Sequence, residues 1–226
     1  MPAMPAPGPP PMRERYRAHV RHEVKQAALR QLAESGPAAV SISAIGKQLG
    51  MSGPALYRYF ASRDELLTEL TIDAYHDLAD ALGAAAGRAP DRGARARLEE
   101  LGRAYRSWAL AQPHRYRLLY GPPLPGYDAH AQRLVEAAQA SMAVLIKVLD
   151  GLGDPAAPPP GAPLASQLSA WARKHSLGAD PATALRAVLA WSRLHGFVSL
   201  EIAGNYASMN IDPDPVFEIQ LATLTA

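Results

Sequence analysis

The sequence predicts an all-α protein in two parts. A three-helix N-terminal domain with a helix-turn-helix spans residues 12–63, and a helical-bundle body spans 64–226. Three observations carry this. Apolar residues recur along most of the chain at i, i+3, i+4 and i+7, the period of one buried helix face. No stretch alternates apolar and polar residues as a half-buried strand would. Proline- and glycine-rich breaks such as Gly36-Pro37, Gly121-Pro122-Pro123 and residues 153–163 punctuate the periodic segments. About nine or ten helices are expected.

Residues 1–11 hold six prolines and no charge, a composition of a disordered tail. A helix follows from about Arg13 to Ser35, with Val20, Val24, Ala27, Ala28 and Leu32 as its stripe and Gly36-Pro37 as its stop. Ser41 is placed to cap the next helix, on which Ile42, Ile45 and Leu49 share a face, and Gly50 to close it in the left-handed conformation. Ser52 is expected to cap a helix from Gly53 to Phe60, with Pro54 in the first turn, where a missing N–H does no harm. Leu56 and Phe60 face inward on it. Ser62 and Glu65 read as a capping box, the carboxylate reaching back to the cap amide. They open a longer helix that runs to about Ala86 on Leu66, Leu67, Leu70, Ala74, Leu78 and Ala81, and would join the first domain to the body.

After a loop at 87–93, helical segments are predicted at Arg95–Gln112, Pro113–Tyr120, Asp128–Leu152, Leu164–His175, Pro181–Gly204 and Pro215–Leu224. Gly178-Ala179-Asp180 is expected to cap the fifth of these.

Composition removes several classes of protein. A chain of 226 residues with 48% hydrophobic content can bury a sizeable core in one or two domains. No apolar run approaches the roughly 18 residues of a membrane helix, and the N-terminus is proline-rich rather than basic-then-apolar, so no secretory signal is expected. The absence of cysteine excludes disulfides, thiolate catalysis and cysteine-bound zinc. The cytoplasm is the expected compartment.

The segment Val40–Leu70 organises the rest. A helix as short as that after Ser52 cannot stand alone in water, so neighbours must hold it while it displays Tyr57, Arg58 and Tyr59. Two short helices joined by a tight turn, the second polar and aromatic, form the arrangement that lays a helix in the DNA major groove. Charge agrees. Residues 1–63 carry nine Lys/Arg against three Asp/Glu, and the remainder fourteen against eighteen. A basic N-terminal third on a mildly acidic chain is the footprint of nucleic-acid binding. Arg13, Arg15, Arg17 and Arg21 crowd the positive end of the first helix, where cations are unfavourable, so phosphate is the expected partner. His19 and His22 lie i, i+3 but have no third ligand nearby, and are expected to be solvated or close to the DNA backbone.

The run LGMSGPALYRYFASRDELL resembles the DNA-binding domain of the TetR family of transcriptional regulators, a resemblance that covers roughly residues 15–72. Gly46 departs from it, since the family usually has alanine there. The resemblance implies that Tyr57 and Tyr59 contact phosphates and that Arg63 holds the backbone from the following helix. Ser43, Gly53, Pro54, Ala55 and Arg58 fall where base edges or thymine methyls are read, with Ser52 in the same contact set. Arg58 is the candidate for a bidentate guanine contact. The string WSRLHGFVSLEIAGNY also resembles the Trp-His-Gly signature of one TetR subgroup. In the family the last two helices form a four-helix dimer interface. That implicates Pro181–Gly204 and Pro215–Leu224, with Gly196, Ser199, Ala203 and Gly204 permitting close approach and Leu200, Phe217 and Leu221 supplying apolar area. An intramolecular helix pair is the alternative.

Signatures of catalysis are missing. There is no phosphate loop, HExxH pair or nucleophile elbow, and Ser192, His195 and Glu201 on one helix cannot converge as a triad. No metal or cofactor is expected. In the body, Tyr105, Trp108, Tyr116, Tyr120, Trp171, Trp191 and His195 put aromatic rings with polar tips on several helices. Such stripes are often plain core, but apolar walls with a few polar groups also make small-molecule sites. Arg103, Arg106 and Arg115 sit off these faces. The reading is a homodimeric regulator, most simply a repressor, that binds double-stranded DNA at a palindromic operator and is released by a small apolar effector. A ligand-independent DNA-binding regulator and a helical enzyme are the rivals.

Overall fold

The computed structural model describes residues 11–88, 92–121, 132–153 and 160–224. Among them it has eleven α-helices, one 3-10 turn and no strand, the all-α architecture expected. The chain divides into two compact units after Leu70. The tail at 1–10 and the expected helical start at 128–131 lie outside the described residues.

The first unit contains α1 (Met12–Ser35), a 3-10 turn (Pro37–Ala39), α2 (Ile42–Gln48), α3 (Gly53–Tyr57) and the start of α4 (Arg63–Gly87). The buried face of α1 is Val20, Val24, Ala27, Ala28 and Leu32, the stripe read from spacing. Gly36 ends it at φ 76°, a conformation with little penalty only for glycine. The Ser41 hydroxyl accepts from the Ala44 amide at 3.3 Å, and Gly50 takes φ 64°. Gly46 is buried, and a Cβ there would meet the Met51 carbonyl oxygen at 3.1 Å. The glycine lets the turn fold tightly back on α2, at the cost of helix propensity.

Three expectations need correction. First, α3 is five residues long rather than eight, because Arg58 caps it and Tyr59 and Phe60 continue as a turn. Second, Ser52 occupies the N-cap position but its side chain accepts no cap bond. Third, the box at the start of α4 is displaced by one residue. Ser62 Oγ accepts from the Glu65 amide at 3.0 Å, while the Glu65 carboxylate accepts from Ala61 at 2.6 Å rather than from Ser62.

The second unit holds the rest of α4, then α5 (Gly93–Ala111), α6 (Pro113–Tyr120), α7 (Gln132–Asp150), α8 (Ala162–Lys174), α9 (Pro181–Ile202), α10 (Asn205–Ser208) and α11 (Pro213–Leu224). Asp180 caps α9, accepting from the Ala182 and Thr183 amides at 2.7 and 3.0 Å. These bonds hold its carboxyl below the usual range. The short α10 was not anticipated; it follows Gly204, which turns the chain at φ 80°.

The core of this unit joins Leu78, Leu98, Leu101, Leu149, Leu194, Phe197, Phe217 and Leu221. Phe217 and Leu221 therefore belong to the protein's own interior, contrary to their expected place at an interface between subunits. Gly102 explains how α11 closes in: a Cβ on it would collide with the Leu221 side chain. Paired charges seal the edge of this packing. Arg103 donates twice to Glu218 at 3.0 and 2.7 Å. Arg106 donates to Glu201 at 2.8 and 2.6 Å and to Asp214 at 2.5 Å, with its guanidinium 5.0 Å from the Phe217 ring centre. The Arg106–Glu201 pair, bidentate and partly buried, is stronger than an ordinary surface ion pair.

Candidate functional site

Each unit carries one candidate site. In the first, Leu56 and Phe60 are fully buried and fasten α3 by its inner face. What α3 turns outward is Ser52, Pro54, Tyr57 and Arg58, all exposed, with Gly53, Ala55 and Tyr59 half-buried at its margins. Ser43 is exposed on α2, and so is Lys47 in its last turn, a cation beside the turn that the sequence reading passed over. Tyr57 has 51% of its surface exposed. A large aromatic kept in water on a five-residue helix gains nothing from its own fold.

Two arginines have other work. Arg63 donates from Nε to the Val40 carbonyl at 3.0 Å and from Nη2 to the Pro37 carbonyl at 2.6 Å, so its guanidinium holds the 3-10 turn before α2. Arg21 donates to the Tyr59 carbonyl, pairs with Glu69 at 3.3 Å and lies over the Phe60 ring at 4.2 Å. Both brace the turn structure through these contacts.

The second unit holds a partly open cavity of about 270 Å³, close to the lower end of small-molecule pockets. Of the seven expected residues, Tyr105, Tyr120 and Trp191 line it; Trp108, Tyr116, Trp171 and His195 do not. The remaining wall includes Tyr75, Leu78 and Leu82 of α4 and Gln139, Ser141, Met142 and Leu145 of α7. Sequence reasoning missed Tyr75 and Gln139. For Tyr75 the available signal was an aromatic residue one position from the Ala74 stripe; Gln139, a single polar residue on a half-buried face, offered none.

The other four residues form a supporting layer or lie apart. Trp108 donates its indole N–H to Asp77 Oδ2 at 2.9 Å, where Gln112 and Arg115 also donate at 3.0 and 2.9 Å. One carboxylate oxygen thus ties α4 to α5 and α6. Asp77→Ala leaves the buried indole N–H without its acceptor, and should destabilise this unit by about 1–3 kcal/mol; urea unfolding followed by tryptophan fluorescence measures it.

His195 sits in a ring stack. Trp191 lies on one side with centroids 5.7 Å apart at 15°, Tyr116 on another at 5.8 Å and 26°. Tyr116 Oη is 2.8 Å from His195 Nδ1 and 3.1 Å from the His195 carbonyl. With the proton on Nδ1, the imidazole donates to the hydroxyl and the hydroxyl donates to the carbonyl, which satisfies all three groups. Burial lowers the His195 pKa, favouring the neutral ring this requires. Trp171 pairs with His175 at 6.4 Å. The residues of the Trp-His-Gly string thereby acquire physical roles: Trp191 forms wall, and His195 fixes Tyr116 behind it. Ser192 donates to the Val188 carbonyl and Glu201 is held by Arg106, so neither is poised with His195 for catalysis. Among the described residues no group of three or more His, Asp or Glu side chains is arranged to hold a metal ion, and no helix is long and apolar enough to cross a membrane.

A helix-turn-helix with an outward polar-aromatic second helix, followed by a helical body with an apolar pocket, defines a DNA-binding transcriptional regulator. Comparison with known proteins agrees. Residues 26–70 match the family described as bacterial regulatory proteins, tetR family, and residues 98–224 match the tetracyclin repressor-like C-terminal domain. The chain belongs to the TetR family, whose members are regulators rather than enzymes. It is 36% identical over 219 residues to the HTH-type transcriptional regulator Rv1816 of Mycobacterium tuberculosis, covering 93% of this chain and 92% of that one. The crystal structure of the regulatory protein SCO4313 shares 40% identity with a TM-score of 0.78, over 95% of this chain and 98% of that one. FadR of Bacillus subtilis, solved in complex with stearoyl-CoA, shares the fold at 15% identity and a TM-score of 0.60, over 91% and 97%.

Proposed function

We propose that the protein is a homodimeric repressor of the cytoplasm that leaves a palindromic operator when a small, mostly apolar effector fills the cavity of the second unit. The observation that carries this reading is the pairing of an exposed Tyr57–Arg58 surface on α3 with a largely apolar, partly open cavity elsewhere in the same chain. Tyr57, Tyr59 and Ser52 serve as phosphate contacts, the last with a hydroxyl not engaged in capping its helix. Ser43, Gly53, Pro54, Ala55 and Arg58 face the bases. Arg63 sets the geometry of the reading head and offers the backbone whatever its two carbonyl bonds leave over. Dimerisation uses the outer faces of α9 and α11, where Leu189, Leu200 and Ile219 are exposed. A two-fold dimer reads inverted half-sites about one helical turn, or a multiple of it, apart. Release requires that the effector bind the DNA-incompetent form more tightly, since equal affinity for both forms shifts nothing.

The test is operator binding by variants on sequences selected with the purified protein. Tyr57→Ala weakens every sequence about equally, because a phosphate contact carries no sequence information. Arg58→Ala instead relaxes discrimination at one base pair, by about 1–3 kcal/mol. Normal operator binding by folded Tyr57→Ala would remove α3 from the interface.

A further inference from the structure

The first two turns of α1 stand clear of the core of their unit. Residues 12–19 are all exposed, and Val20 is the first buried side chain of the helix. The row that anchors α1 nevertheless continues outward at i, i+4 spacing, from Val24 and Val20 to Tyr16 and Met12. Those last two are 65% and 86% exposed. The surface around them is basic. Arg13, Arg15 and Arg17 are set against one carboxylate, Glu14. Among the described residues none of these three guanidinium groups has an ion-pair or hydrogen-bond partner.

The fold itself does not reward this arrangement. Cations are unfavourable at the positive end of a helix dipole, and a segment this short gains little from its own helical bonds. Arg21, one turn farther in, differs: it pairs with Glu69 and lies over the Phe60 ring.

Arg21 also fixes where the free arginines stand. Arg13, Arg17 and Arg21 recur at i, i+4 and i+8, on one side of the helix. Arg21 meets the Tyr59 carbonyl and the Phe60 ring, directly after the end of α3. Arg17 and Arg13 follow about 6 and 12 Å farther along the axis of α1. The unpaired cations therefore extend a row that begins at the end of α3. Two exposed apolar residues are too few for a helix that lies in a membrane surface, and like charge opposes pairing this surface with its own copy. A polyanion already held at α3 is the complementary partner.

Resting on the DNA-binding reading above, we propose that the first two turns of α1 are an arm that grips the phosphate backbone of duplex DNA, with Arg13, Arg15 and Arg17 as sequence-independent contacts.

The test replaces all three arginines with alanine in the full chain. Alanine keeps helix propensity and the sites are exposed, so melting and helix content should match the parent. Binding is followed over a range of salt on two duplexes of equal length, one selected with the purified protein and one unrelated in sequence. Each phosphate neutralised contributes about 0.9 to the slope of log affinity against log salt. The variant's slope should be shallower by about two to three for each bound subunit, and at about 0.1 M salt it should bind both duplexes at least about tenfold more weakly. The ratio of the two affinities should hold, because phosphate contacts carry no sequence information. Lysine at all three positions keeps the charge and should restore the parent's slope. An unchanged slope and affinity in the alanine variant, with Tyr57→Ala still weakening binding, would overturn the arm and leave α3 as the reading head. A loss confined to the selected duplex would overturn backbone gripping in favour of base readout. A fall in light-scattering mass would assign the surface to a second copy instead. Failure of the parent to bind either duplex would remove the reading on which the arm rests.

Discussion

Replacing Leu200 and Ile219 together with glutamate should convert the protein to a monomer and lower operator affinity by at least about 100-fold. Both side chains lie on the outer surface, 45% and 67% exposed, so the exchange removes nothing from the core and the fold should survive, as circular dichroism can verify. An interface able to hold a stable dimer buries about 1,600 Å² in all, and each large aliphatic side chain within it contributes about 1.5–3 kcal/mol. Four such residues, two per subunit, turned into desolvated carboxylates exceed what an interface of that size can absorb. Affinity then falls because the second reading head no longer benefits from being tethered to the first. Light scattering and operator titration read the two effects separately. A variant that remains dimeric would move the interface away from α9 and α11.

Phe60→Ala should unfold the first unit and leave the second standing. Phe60 is fully buried, beneath the Arg21 guanidinium, and closes the turn that follows α3. Truncating a buried phenylalanine costs about 3–5 kcal/mol. A unit of this size buries a modest fraction of its surface and has little stability in reserve. The three tryptophans, Trp108, Trp171 and Trp191, all lie in the second unit. Their fluorescence transition in urea should therefore match the parent's, while far-UV circular dichroism shows lost helix and operator binding disappears. A single, shifted transition common to both signals would mean that the units unfold together.

Local rules were legible in the sequence where they depend on one element at a time. The α1 stripe, the Ser41 and Asp180 caps and the left-handed Gly50 each follow from a side chain and its near neighbours. What could not be read was which surface an element would meet. On α11 the spacing of Phe217 and Leu221 marks a buried face, but spacing does not tell a subunit's own core from a partner's, and the structure gives both to the core. Trp108 is aromatic in the same way as Trp191, yet Asp77 captures its indole N–H, an acceptor on another helix that periodicity cannot locate. Gln139 was passed over because a single polar residue on a half-buried face carries no signal until the cavity beside it is known. The length of α3 failed for a related reason. Helical propensity runs on through Tyr59, but the chain must turn there to bury Phe60.

The close meeting of Gly102 and Leu221 has a bearing on how this protein can change over generations. The volume a methyl on residue 102 would need is filled by the end of the Leu221 side chain, with Leu194 next to it, so alanine at 102 asks Leu221 to turn aside or shrink. A lineage that trims 221 first carries a void until 102 fills it. Two sites far apart in the gene thus constrain each other, and relatives with a larger residue at 102 should tend to differ at 221 as well.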